Sequence, residues 1–205
     1  MKKPQFTKND VEVINKVPVF QGFFKLDEYE IKHKLFEGGY SGVIKREIFE
    51  RGESACVLLW DLRRDKVVLI EQFRVGALSH PSSPWLIEVV AGMVESGETP
   101  DSVVCREAKE EAGVTVTQLA EIGSYLATPG GSTERVWLFV GEVDSSNVEG
   151  IHGLDNENED IRVAVYDRKS VTDKLFNSRL DNSATIICLQ WLALNKENLT
   201  ETWQQ

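Results

Sequence analysis

Between Gly92 and Val114 the chain reads GMVESGETPDSVVCREAKEEAGV, and Glu98, Glu107, Glu110 and Glu111 stand within those residues. Glu107 and Glu111 are spaced i and i+4, which on a helix puts both carboxylates on one face, one turn apart. Two anionic groups held side by side repel, so a positive charge must compensate them. A hard divalent cation such as Mg²⁺, which prefers oxygen ligands, is the natural partner.

A helix is well signalled over this segment. Thr99 suits the N-cap and Pro100 the first helical position, where its missing N–H costs nothing. Asp101 places negative charge in the first turn, where the helix dipole favours it. Val104, Cys105 and Ala108 supply an apolar stripe, and Gly113 ends the helix as a C′ residue. Arg106 and Glu110 form a second i,i+4 pair. Taken alone, such a segment is an ordinary amphipathic helix with a solvated acidic face.

The complete pattern is more specific. Gly92, Glu98, Arg106, Glu107, Glu110, Glu111 and Gly113, with Ala108 and Val114 in the apolar slots, resemble the Nudix box at every fixed position. The resemblance implies a hydrolase of a nucleoside diphosphate linked to another moiety, with a loop–helix–loop that holds catalytic divalent metal. Mg²⁺ is the implied ion, with Mn²⁺ as an alternative.

Composition sets the outer bounds. With 205 residues the chain can bury a substantial core, as one domain or one with an appendage. No apolar run approaches the ~18 residues of a membrane span, and the N-terminus has no signal-peptide core, so a cytoplasmic protein is expected. The net charge of −10 argues against tight polynucleotide binding, which rests on Lys and Arg against phosphates. It leaves room for a small anionic substrate in a locally positive cleft. Cys56, Cys105 and Cys188 lie isolated in apolar stretches, read as buried thiols rather than a disulfide or zinc framework. His33, His80 and His152 fit no metal spacing.

The expected architecture is α+β, an α/β/α Nudix sandwich with a mixed sheet, plus a small antiparallel N-terminal β unit. Residues 1–52 form the β unit, with strands near Phe23–Ile31, His33–Phe36 and Ser41–Phe49. Three such strands alone are marginal, so a partner subunit is the economical way to cover them. Residues 53–205 form the hydrolase domain. A hairpin is expected from Ala55 to Phe73 around the charged turn Leu62–Lys66. A short strand at Leu86–Ala91 leads into the acidic helix. Further strands are expected at Leu119–Leu126, Val136–Val143 and Ile161–Tyr166, with helices at Ser170–Asn177 and Ala184–Asn195.

Segments outside the box narrow the resemblance. Arg46 to Gly52, Thr128 to Arg135, with Pro129 sixteen residues after Gly113, and Gly150 to Ile161 look like the bacterial ADP-ribose pyrophosphatase branch. What that resemblance implies is hydrolysis of ADP-ribose to AMP and ribose 5-phosphate. The alternatives are another nucleotide sugar, such as GDP-mannose, or a regulatory domain that binds nucleotide without cleaving it. The implied metal ligands are Glu107, Glu111, Glu159 and the backbone carbonyl of Ala91. Glu157 is the implied general base, with Glu159 and Glu110 as alternatives. Glu98 and Arg106 are implied to brace the box, and Gly92 to suit its tight loop. Phe23, Phe24, Arg46, Arg51, Arg74, Met93, Thr128, Pro129, Gly130 and Glu134 match substrate-binding positions. The family also implies a homodimer with swapped N-terminal parts. Val136 to Phe139 can be core or pocket lining.

Overall fold

A computed structural model describes residues 3–154, 158–175 and 180–204. The chain divides into two compact units, Met1–Gly52 with Leu126–Arg135, and Glu53–Tyr125 with Val136–Gln205.

The first unit is a three-stranded antiparallel sheet in the order β1-β2-β3, built from Val11–Gln21 (β1), Lys25–His33 (β2) and Ile44–Glu50 (β3). Two strands match expectation, with shifted ends. His33–Phe36 is not a strand, because the chain turns there through Gly38 and Gly39, both at positive φ. The outer strand is instead Val11–Gln21, which the sequence pattern did not announce. Its residues are all exposed in the single chain, so no in/out alternation marks it. Pro18 further disguises it, sitting at a register irregularity of an edge strand, where a missing N–H is tolerated. Residues 128–134 are tied to β3 by backbone bonds. Phe49 N–H donates to Gly131 O at 2.8 Å, and Thr133 N–H donates to Phe49 O at 3.1 Å.

The second unit is built on an eight-stranded sheet. Its strands are Glu53–Asp61 (β4), Lys66–Phe73 (β5), Trp85–Glu88 (β6), Val90–Met93 (β7), Gln118–Leu126 (β8), Arg135–Glu142 (β9), Gly150–His152 (β10) and Ile161–Asp167 (β11). The main path runs β10-β11-β5-β4-β9-β8. The run after Pro84 changes partner midway, β6 pairing with β5 and β7 with β4. Helices are Pro100–Ala112 (α1), Arg168–Asp173 (α2) and Ser183–Trp203 (α3).

The layers follow from strand alternation. Ala55, Val57 and Leu59 of β4, with Val68 and Ile70 of β5, share a cluster with Val103, Val104, Ala108 and Ala112 of α1. The intervening Cys56, Leu58, Trp60, Val67 and Leu69 pack with Cys188, Leu189 and Leu192 of α3. Successive residues point to opposite faces, so one helix covers each face and the unit is an α/β/α sandwich. The same alternation decides Val136 to Phe139. Val136 and Leu138 belong to the α3 cluster, while Phe139 and half-buried Trp137 join the α1 cluster. All four are core contributors, and Trp137 Nε1–H also donates to Glu53 at 2.7 Å.

α3 runs eight residues beyond its expected end, and Trp203 near its C-terminus packs on Trp60 at 5.8 Å between ring centroids. α2 lies earlier than expected, and residues 176 and 177 of that expectation fall outside the described residues. Cys105 corrects another expectation. It is exposed, because the buried stripe of α1 runs through Val103, Val104, Ala108, Glu111 and Ala112 and leaves Cys105 to one side. Among the described residues, no helix is long and apolar enough to cross a membrane.

Candidate active site

The acidic helix is anchored where its sequence signals placed it. Thr99 N–H donates to Ser102 Oγ at 3.1 Å, Pro100 opens the helix, and Gly113 closes it at φ 67°. Gly113 has two reasons to be glycine. Its backbone is left-handed, and a Cβ there would lie 2.8 Å from His152 Cε1 on β10. Gly113→Ala therefore combines strain with a clash, and should cost ~2–3 kcal/mol, or about 5–10 °C in Tm. Adding His152→Ala should recover only the steric part. A Gly113→Ala protein that melts like the parent would contradict this packing.

Arg106 organises the helix's acidic face. Its Nε donates to Glu98 at 3.2 Å, and Nη1 donates to Glu107 at 2.8 Å and to Glu110 at 2.9 Å. Glu98 also accepts from the Glu95 N–H at 3.1 Å, which fastens the loop before the helix. One guanidinium thus orients three carboxylates.

Glu107 and Glu111 face the sheet at β7. Gly92 is where Glu107 packs, since a Cβ there would stand 2.0 Å from Glu107 Oε1. Glu111 is 3% exposed, and its Oε2 accepts the Ala91 N–H at 3.1 Å. Burial, with repulsion from Glu107 and Glu159, pushes the Glu111 carboxyl up to about 8 despite that bond. Burial also raises Glu107, against the pull of Arg106, and Glu110 and Glu159 add repulsion. Glu159 comes from the segment between β10 and β11, and its Oε2 accepts the Leu154 N–H at 3.1 Å. Gly153 makes this approach possible, because a Cβ there would lie 2.7 Å from the Glu159 Cβ.

The three carboxylates are thus brought into electrostatic reach across two elements. Each is presently held by protein donors, and among the described residues no three acidic, His or Cys groups close a ready-made cage. The donor set nonetheless suits a hard cation: all oxygen and mutually repelling, with Glu107 and Glu111 desolvated. Glu157 lies outside the described residues.

The substrate candidates fall into two groups, one in each unit. In the first, the Arg51 guanidinium lies 4.7 Å over the Phe24 ring and 3.9 Å from Glu134. Phe24 packs edge-on against Phe23 and Phe49, and Phe23 is 86% exposed. Thr128, Pro129 and Gly130 form a turn in which Thr128 O accepts from the Gly131 and Ser132 N–H groups. Arg46 is exposed on β3, where its Nη1 donates to the neighbouring Lys45 carbonyl at 2.7 Å. Arg51 Nη1 is buried without a hydrogen-bond partner, an unusual state for a strong donor.

In the second unit, Arg74 Nε donates to Glu88 at 2.8 Å, and Met93 is partly exposed at the end of β7. Glu88 is buried at 4% exposure and also accepts from Asn182 Nδ2 at 2.8 Å. Sequence reasoning passed over Glu88. The available signal was a lone charge inside the apolar run Leu86–Ala91, which demands a buried partner.

A sheet between two helices carries an acidic α1 braced by one arginine against a glycine-bearing strand, the arrangement that the resemblance to the Nudix box implies. The chain belongs to the Nudix family: the model of the NUDIX domain matches residues 50–184. An ADP-ribose pyrophosphatase of Escherichia coli (strain K12) is 48% identical to it, over 97% of this chain and 95% of that protein. A GDP-mannose pyrophosphatase of Cronobacter sakazakii is 33% identical, over 73% of this chain and 78% of its own length. The fold is shared with a solved structure described as an ADP compounds hydrolase, at TM-score 0.69 and 16% identity, covering 97% of this chain and 98% of that one.

Proposed function

We propose that this chain is an ADP-ribose pyrophosphatase, adding water across the pyrophosphate of ADP-ribose to release AMP and ribose 5-phosphate. The observation that carries the reading is the pair Glu107 and Glu111, desolvated and raised by burial, with Glu159 adding repulsion from the β10–β11 segment, a group that calls for added positive charge. Near-complete alignment at 48% identity with an ADP-ribose pyrophosphatase, against 33% over a shorter stretch with a GDP-mannose pyrophosphatase, supports the base and sugar.

Glu107, Glu111, Glu159 and the Ala91 carbonyl would hold a divalent ion, Mg²⁺ or Mn²⁺, which shields phosphate charge and polarises water. The protein's own groups do the rest. Arg106 keeps Glu107 aimed, and Glu98 keeps Arg106 in place. Arg51 and Arg74 bring forked donors suited to phosphate oxygens. Phe23 and Phe24 offer an aromatic surface for the adenine. Glu157 takes the proton of the attacking water, with Glu159 or Glu110 as the alternatives. The three free cysteines, Cys56, Cys105 and Cys188, agree with a reducing compartment such as the cytoplasm.

The uncovered β1 supports a dimer. Val13, Val19 and Phe20 are each more than half exposed, and a second copy would bury them. Light scattering should give twice the 23.1 kDa chain mass. A single-chain mass would contradict the dimer. The substrate reading is tested by kcat/KM for ADP-ribose and GDP-mannose measured in parallel. ADP-ribose should be favoured by more than ~10-fold, because a site built to bond one base leaves its polar groups unpaired with another. Equal or reversed preference would reject ADP-ribose while keeping the hydrolase.

A further inference from the structure

Gln72 Nε2 is a second buried side-chain nitrogen with no hydrogen-bond partner, and no motif points to it. Gln72 is 8% exposed and lies on β5, two residues past Ile70 and two before Arg74. It shares the phase of Val68 and Ile70, which pack in the α1 cluster, so its side chain leaves the sheet on the α1 face. Across the strand it stands opposite Leu86, and the next pair on that face is Ile70 with Glu88. Glu88 is the residue that holds Arg74.

Elsewhere the unit satisfies its buried polar groups thoroughly. Asp61 accepts from Arg64 and Ser145, Glu88 from Arg74 and Asn182, and Thr185 Oγ1 from the Val89 N–H. An orphan amide against that background is a donor waiting for an acceptor. It lies on the face covered by α1, the helix of Glu107 and Glu111, and two residues before Arg74, which β5 runs into. We infer that Gln72 is a further substrate-contacting residue, its Nε2–H donating to a phosphoryl oxygen of the bound nucleoside diphosphate. The inference rests on the hydrolase reading above.

A donor that is idle in the free protein and used in the complex has a signature that a structural amide lacks. Removing an unsatisfied buried group is neutral or favourable for folding, whereas removing its bond to a charged oxygen weakens binding. Gln72→Leu should therefore keep or raise Tm while weakening binding of α,β-methylene ADP-ribose with Mg²⁺, by calorimetry, about 10- to 100-fold. Gln72→Glu, which turns a donor toward the anion into an acceptor, should weaken it further. Wild-type affinity in both variants overturns the inference. A fall in Tm for Gln72→Leu, with or without weaker binding, also overturns it, since the amide would then have a partner in the free protein. If the wild-type chain itself neither binds the analogue nor cleaves ADP-ribose, the hydrolase reading has failed instead.

Discussion

Glu111→Gln should lower kcat by on the order of 10³-fold or more while leaving a folded protein that is more heat-stable than its parent at pH 8. The two effects share one cause. Glu111 is almost completely buried, beside Glu107 and within the field of Glu159, and its carboxyl is pushed up to about 8. An unfolded glutamate titrates near 4.5, so folding favours the protonated form. This group's contribution is complete below pH ~4.5 and is lost as pH rises through 8, a change on the order of 4–5 kcal/mol without metal. Glutamine has the same shape, can still accept the Ala91 N–H, and does not ionise. The metal-free parent should thus lose Tm between pH 5 and 8 more steeply than Glu111→Gln. Added Mg²⁺ should raise the parent's Tm most at the upper end, where the carboxylate is ionised. Full activity in Glu111→Gln, or parallel Tm profiles, would remove Glu111 from the metal site.

Gly92→Ala should give the opposite separation, activity lost with stability nearly unchanged. The added methyl would fall 2.0 Å from Glu107 Oε1, 2.5 Å from its Cδ and 2.6 Å from its Cγ. The three nearest atoms all belong to the flexible Glu107 side chain, so the glutamate gives way and the fold survives. A displaced Glu107 leaves the side chain that Arg106 aims, and that we propose holds the metal, out of position. Misplacing a catalytic group by about 1 Å can cost 10²-fold, so kcat should drop by roughly 10²–10³-fold with Tm within ~3 °C. Wild-type turnover would show that Glu107 does not work from the position it occupies here. A collapse in Tm would show that the strand-to-helix spacing, not the carboxylate, is what Gly92 protects.

How much of this could be read along the chain depends on how far apart the interacting groups are. α1 was readable because its signals are local: Thr99 and Pro100 at the start, Gly113 at the end, and two glutamates one turn apart. The hairpin of β4 and β5 was equally plain, since both strands are apolar runs around one charged turn. β1 was not readable, because every residue is exposed in the single chain and its strand pattern has no buried face to reveal it. Glu88 escaped notice because its partners Arg74 and Asn182 are 14 and 94 residues away. Gly113 announced a helix end, but His152 as its neighbour is a tertiary fact, and so is the stacking of Arg51 on Phe24. Gln72 shows the limit most clearly. Only a folded chain can show a donor buried without a partner.

The most direct test of the central claim is phosphorus NMR of ADP-ribose incubated with the wild-type protein, with Mg²⁺ and then with EDTA in its place. The buried acidic group predicts metal-dependent loss of the pyrophosphate signals and the appearance of two phosphomonoesters, AMP and ribose 5-phosphate, with no turnover in EDTA. Cleavage that persists in EDTA, or intact ADP-ribose with Mg²⁺ present, would contradict it.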